Sequence, residues 1–216
     1  MKVLVATRSA HKLNEIQAIL AQAGLDAIEL VTLDQIGIAP SDAEDDLEPW
    51  ETFEENARSK AQYFHRLSGL PVLADDSGLV VDALGGAPGV RSKRFAPGSL
   101  TGELRDQANN AHLLKQLERV PDEERTARYV CVVSWVAAEG ASKEVRGEVE
   151  GRIVREPQGT NGFGYDPHFH VQELGRTFGL ASAQEKHALS HRGRAFRAIL
   201  PELRQAAGHF AAEEER

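Results

Sequence analysis

The sequence predicts strands alternating with helices, in one large domain or two small lobes, and three stretches carry that reading. Residues 2–6 (KVLVA) form a compact apolar strand, followed by a short polar loop and a helical pattern. Further on, a helix marked by Phe53, Ala57, Ala61 and Phe64 leads through Gly69-Leu70-Pro71 straight into the apolar run Val72, Leu73 and Ala74. Residues 127–138 make a strand long enough to cross a sheet. Residues 143–155 then alternate, with Val145, Val149 and Ile153 on one side and mostly charged residues on the other, so the pair reads as a long antiparallel ribbon.

The elements follow in order. After the first strand, Leu13, Ile16, Ile19, Leu20 and Ala23 recur at helical spacing, and Gly24 supplies a stop. Residues 28–33 are a second strand. Residues 37–51 are polar and acidic, with Asp42, Glu44, Asp45, Asp46, Glu48 and Glu51, and such a run is usually a solvated loop. Thr52 with Glu55 is a capping box that opens the next helix. The strand after it is predicted to stop at Asp75-Asp76-Ser77-Gly78 and to be followed by a short run, Leu79-Val80-Val81, and a glycine-rich turn over residues 85–89. Residues 101–118 are an amphipathic helix through Leu104, Ala108, Ala111, Leu114 and Leu117. Ser182 with Glu185 is another capping box, and Ser190-His191-Arg192-Gly193-Arg194 precedes one final helix marked by Ala195, Phe196, Ile199, Leu200 and Leu203. Residues 211–216 read as a solvated acidic tail to a single domain of residues 1–210.

Composition sets the limits. The chain has 216 residues and a net charge of −8, which argues against a general nucleic-acid binder, since such proteins carry a basic face. The one cysteine, Cys131, lies inside an apolar run and reads as a core residue. No apolar stretch reaches the roughly 18 residues of a membrane helix. The apolar part of MKVLVATRS is too short for a signal peptide, so a cytoplasmic protein with no membrane contact is expected.

Four places carry candidate chemistry. Thr7, Ser9 and Lys12 sit at a helix N-terminus, which favours an anion; a plain capped helix explains them equally, and no Walker A loop is present. Asp75 and Asp76 are costly to bury unless a cation pairs with them, and Mg²⁺ prefers one or two carboxylates plus substrate phosphates; a strand-ending turn is the alternative. Residues 159–167 combine three glycines with Phe163 and Tyr165, either as stacking faces for a ligand or as rings packed inward. Lys186, His191 and Arg192 are donors close in sequence, or else ordinary surface charge.

Together these stretches resemble the noncanonical purine nucleoside triphosphate pyrophosphatases, the inosine/xanthosine triphosphatase family. The resemblance rests on ATRSAHKLNEI, TFEENARSKA, LADDSGLVVDALGGAPGVRSKRFA, GFGYDP and EKHALSHRGRA, which span nearly the whole chain. It implies an α/β fold with a long mixed β-sheet forming two lobes and a nucleotide cleft between them. It also implies a Mg²⁺-dependent homodimer that cleaves inosine, deoxyinosine and xanthosine triphosphates (ITP, dITP and XTP) to monophosphate and pyrophosphate, keeping those bases out of nucleic acids. Residues Thr7, Arg8, Ser9, Ala10, His11 and Lys12 match the family's phosphate loop, with Ser9 where the family usually has Asn. Asp76 matches the catalytic, metal-binding acid and Ser77 a substrate contact. Glu48 stands at the second metal carboxylate, although its surroundings, EPWE, depart from the usual pattern. Phe163, Gly164, Tyr165, Asp166, Lys186, His191 and Arg192 match the nucleoside-recognition positions.

The chemistry agrees with the residue types. Attack on phosphorus in a polyanion needs charge neutralisation and an aligned water, and a carboxylate beside the metal can orient or deprotonate that water. Asp76 is expected in that role, with Asp75 open as a partner. Two competing readings are a nucleotide sensor without turnover and a related pyrophosphatase of pyrimidine or modified nucleotides. The acidic pair argues against the first, and the SHRG and FGYD stretches against the second.

Overall fold

The computed structural model describes every residue except Asp26, Asp45, Glu215 and Arg216, and the backbone alone for residues 209–214. Asp45 of the acidic run and the end of the expected acidic tail therefore lie outside the described residues. Among the described residues, seven strands form one open mixed sheet in the order β2-β1-β3-β4-β5-β6-β7. They are β1 (Lys2–Val5), β2 (Glu29–Thr32), β3 (Val72–Val81), β4 (Thr126–Val136), β5 (Ser142–Ile153), β6 (Phe169–Val171) and β7 (Arg176–Thr177). β1 runs parallel to β2 and β3, whereas β6 is antiparallel to β5 and β7. The helices are α1 (Ala10–Ala21), α2 (Phe53–Ser68), α3 (Gly102–Gln116), α4 (Ala183–Leu189), α5 (His191–Ala198) and α6 (Leu200–Glu214).

The chain divides into two compact units. The first comprises residues 1–76, 131–147 and 192–216. Its core has two layers, and strand alternation sorts residues between them. Val3, Val5 and Leu73 pack with Ile16, Ile19 and Leu20 of α1, and with Ala195, Phe196 and Leu203 of α5 and α6. Leu4, Ala6, Val72 and Ala74 pack with Ala61 and Phe64 of α2. Thr52 caps α2, its hydroxyl accepting from the Glu55 N–H at 3.2 Å, and Gly69 closes the helix in the left-handed conformation.

The second unit comprises residues 77–130 and 148–191. Leu113 and Leu117 pack there with Leu79, Val81, Ala127, Tyr129, Val149, Phe169 and Phe178. The loop before β6 is held to the segment after β7 by backbone bonds from the Asn161 N–H to Gly179 O at 2.9 Å and from the Gly179 N–H to Asp166 O at 3.0 Å.

Two expectations are corrected. β3 does not stop at Asp75-Asp76 but runs on as a single strand of 10 residues. The acids find cationic and amide partners within the fold, so nothing forces the chain to turn there. The C-terminal helix begins earlier, at His191, and is two helices. Pro201 lies at the start of α6, and a proline's missing N–H and ring clash are tolerated only in a first helical turn. β6 and β7, three and two residues long, are too short for a periodicity signal.

Gly159 tests the loop packing. Its φ is +79°, and a β-carbon there would lie 2.0 Å from Gly179 O. Gly159→Ala is expected to cost at least ~2 kcal/mol through strain and steric displacement. The corresponding fall in Tm is roughly 4–8 °C for a chain of this size. An unchanged Tm would contradict the tight backbone crossing.

Candidate active site

In the first unit, β3 presents its two acids to opposite layers, because neighbouring strand residues point to opposite faces. Asp75 shares the parity of Leu73 and meets α1 and α5. Its Oδ2 lies 3.0 Å from Lys12 Nζ and 3.2 Å from Arg192 Nη2. The Arg192 guanidinium also donates through Nη1 to Glu15 of α1. Asp75, Arg192 and Glu15 are all buried, giving a chain of alternating charges with Lys12 at one end. Burial alone would raise the Asp75 pKa, but Lys12, Arg192 and Lys60 reverse it and hold the carboxyl well below the usual range. Asp75 is thus a fixed anion with little basicity. Its Oδ1 is buried with no hydrogen-bond partner.

Asp76 shares the parity of Ala74 and meets α2. Its Oδ2 accepts from Asn56 Nδ2 at 3.1 Å. Burial pushes its carboxyl up, and nearby Glu48 adds to this. Lys60, Lys12 and Asn56 oppose the rise without cancelling it, so the pKa is raised to about 6. Glu48 Oε1 accepts from Lys60 Nζ at 2.6 Å, and the same ammonium also donates to the backbone carbonyl of Asp75. Burial raises the Glu48 carboxyl, but Lys60 more than offsets it and the net shift is downward.

Glu48 and Asp76 are therefore two hard oxygen donors, with Glu48 near enough to raise the Asp76 carboxyl, and the lysines acting on Asp76 do not cancel its burial. A divalent cation corrects both, so the residues fit Mg²⁺. Among the described residues, no group of three or more His, Cys, Asp or Glu side chains forms a metal cage. Two carboxylates with the remaining positions left to phosphate and water is the usual Mg²⁺ arrangement.

The loop before α1 is a built helix start. Ser9 is the N-cap, its Oγ accepting from the Lys12 N–H at 3.4 Å, and Thr7 Oγ1 accepts from the Ser9 N–H at 3.2 Å. Serine and asparagine both serve as caps, so Ser9 retains the local geometry. Arg8 of the same loop is ion-paired with Glu44 at 2.8 Å and Asp34 at 3.2 Å.

The second unit gathers Phe163, Asp166, Lys186 and His191. Lys186 Nζ lies 2.6 Å from Asp166 Oδ2 and 4.5 Å from the centre of the Phe163 ring. Both Lys186 and Asp166 are buried, so neither is the surface charge that composition alone would suggest. The same Asp166 oxygen accepts from the Phe163 N–H at 2.8 Å. Gly164 is held by α3, donating to Asp106 Oδ2 and accepting from Asn110 Nδ2, both at 2.9 Å. His191 stacks on Tyr129 with ring centres 4.7 Å apart.

Of the two readings of the aromatic loop, Tyr165 takes the inward one: its ring is in the core and its hydroxyl donates to Ser92 O at 2.8 Å. Arg192 pairs with Asp75 and Glu15 in the first unit. Sequence reading also missed Glu15, Asn56 and Lys60. The signal for the last two is their spacing, four apart on α2 beside the inward Ala57 and Ala61, which puts polar residues on a buried stripe.

An open mixed sheet whose β3 carries two buried carboxylates among lysines and a capped helix start defines an α/β protein built to manage a polyanion. The chain belongs to the Ham1 family, whose model matches residues 3–202. It is 45% identical over 214 residues to a protein of Corynebacterium efficiens named dITP/XTP pyrophosphatase, covering 96% of this chain and 100% of that protein. It is 46% identical over 200 residues to a protein of the same name from Exiguobacterium sibiricum, covering 92% of this chain and 95% of the other. Among solved structures, a HAM1 protein from Coxiella burnetii superimposes with a TM-score of 0.80 at 36% identity, covering 95% of this chain and all of that one. A nucleoside-triphosphatase, dITP/XTP pyrophosphatase, from Mycobacterium abscessus gives 0.72 at 43% identity, covering 94% and 100%.

The raised Asp76 pKa makes a signed prediction. Because its folded value exceeds the ordinary 3.8, its contribution to stability is full below that value and is lost as pH rises through about 6. Above that pH the charged form costs roughly 2–3 kcal/mol in metal-free protein. Asp76→Asn should therefore raise the metal-free Tm by several degrees at pH 8 and by less at pH 4.5. Equal Tm values for mutant and wild type at both pH values would refute this environment for Asp76.

Proposed function

We propose that the protein hydrolyses noncanonical purine nucleoside triphosphates, ITP, dITP and XTP, to the nucleoside monophosphate and pyrophosphate, removing them from the nucleotide pool. The observation that carries this reading is the opposite treatment of two adjacent acids. Asp75 is locked as an anion by Lys12 and Arg192, while Asp76 retains basicity near neutrality.

In this reading the Asp76 carboxylate orients the attacking water and accepts its proton. Asp75 takes no proton; it holds Lys12 in place at the start of α1. Lys12 and the N-terminal end of α1 attract the triphosphate tail. Ser77, adjacent to Asp76 in β3, is the further substrate contact. Glu48 and Asp76 would hold Mg²⁺, which supplies charge neutralisation for the phosphates when bound. Lys60 keeps Glu48 ionised and in place.

Lys186, fixed by Asp166 against the Phe163 ring, supplies a donor for the keto oxygen that hypoxanthine and xanthine carry at C6. A lysine has donors only, so the amino group of adenine would face a donor at that ammonium. Unpaired polar groups of this kind reject a wrong substrate by up to ~10⁴-fold. Phe163 leaves guanine a weaker discrimination, since guanine shares the keto group. Action as a cytoplasmic homodimer completes the proposal and is supported by the family resemblance.

The test is a panel of ITP, XTP, dITP, GTP and ATP with Mg²⁺, with products separated. Monophosphate and pyrophosphate should appear first, with ITP and XTP far ahead of ATP in kcat/KM. Asp76→Asn should lower kcat by at least ~10²-fold. Lys186→Ala should narrow the gap between ITP and ATP. A diphosphate with inorganic phosphate as first products, or ATP turned over as fast as ITP, would overturn the reading.

A further inference from the structure

α2 carries a residue that no part of the mechanism above employs and that the fold treats with unusual economy. Asn56 is 1% exposed. Its carboxamide oxygen accepts from the Trp50 N–H at 2.9 Å, while its amide nitrogen donates to the Trp50 carbonyl at 3.1 Å and to Asp76 Oδ2 at 3.1 Å. The assignment of oxygen and nitrogen is forced by the partners. Reversing the amide would aim its oxygen at a carbonyl and a carboxylate, and its N–H at another N–H.

One side chain therefore ties the Trp50 backbone to the Asp76 carboxylate. Trp50 lies two residues after Glu48, in a segment without regular structure. Asp76 sits in the rigid interior of β3. Nothing in the 48–51 segment is itself a helix or strand, so the position of Glu48 relative to Asp76 depends on side-chain ties. Lys60, one turn along α2, ties the Glu48 side chain to the Asp75 carbonyl. Asn56 ties the backbone of the same segment directly to the Asp76 carboxylate.

We infer that Asn56 is a positioning residue that sets the spacing of the two metal-directed carboxylates by clamping the Trp50 backbone to Asp76. The inference rests on the assignment of Glu48 and Asp76 to Mg²⁺. Partners that orient a metal ligand without touching the metal are typically worth about 10–100-fold in metal affinity.

The experiment compares wild type with Asn56→Ala and Asn56→Asp. Asn56→Asp keeps shape and replaces the amide donor by a carboxylate oxygen, so it remains informative if Asn56→Ala folds poorly. Two readouts are independent of turnover: the Mg²⁺ concentration that gives half of the metal-induced rise in Tm, and acrylamide quenching of tryptophan emission. Trp135 is 4% exposed and Trp50 49%, so quenchable emission reports on Trp50. Both variants should need at least ~10-fold more Mg²⁺. Trp50 should become more quenchable, and at saturating Mg²⁺ the KM for ITP should move far less than the Mg²⁺ midpoint. A wild-type Mg²⁺ midpoint in either folded variant would overturn the clamp. If the wild type itself shows no Mg²⁺-induced Tm rise, the metal assignment fails instead, and the clamp fails with it.

Discussion

Much of the first unit depends on a buried carboxylate that is not allowed to become neutral. Asp75 has no solvent around it and is held as an anion by Lys12 from α1 and Arg192 from α5. An isolated buried charge is so unfavourable that it would take up a proton or prevent folding. Removing one partner of such a pair typically costs about 3–5 kcal/mol. These pairs therefore bind the start of α1 and the start of α5 to the middle of β3. Glu15 extends the arrangement by accepting from the other nitrogen of the Arg192 fork. The N-terminal end of α1 is placed by electrostatics as much as by the apolar residues behind it.

Strand parity then separates two acids that are chemically identical and adjacent. Asp75 faces the layer where Lys12 and Arg192 pair with it, and Asp76 faces α2, where Asn56 donates to it. A one-residue slip of β3 would turn each acid to the opposite layer. The parallel register that pairs Leu4 with Val72 and Val5 with Leu73 is thus a chemical specification as well as a structural one.

The second unit follows a similar logic with different materials. Lys186 is buried and neutralised by Asp166, which in turn holds the Phe163 N–H. Such an ammonium keeps its donors in fixed directions, because the carboxylate and the aromatic face limit its rotamers. Tyr165, two residues on from Phe163, is used up by the core. The loop therefore offers one aromatic ring and one oriented cation, a narrower set of groups than its composition suggests.

What the sequence by itself determined was local or carried by a motif. The alternation of β1, α1 and β2, the cap at Thr52, the capping box at Ser182 and the length of β4 and β5 follow from periodicity and turn chemistry, which act over a few residues. The matching stretches were also sufficient to place the chain in its family. Tertiary structure alone decided which charges meet. Glu15 and Arg192 are 177 positions apart, and Arg192 and Asp75 are 117 apart. No local pattern distinguishes a buried Arg192 from a surface one. The continuation of β3 through Asp75 and Asp76 was illegible for the same reason, because the acids suit a strand interior only once Lys12, Arg192 and Asn56 have arrived from elsewhere. The difference between the two acids, one inert and one basic, belongs to that assembled environment and not to either residue.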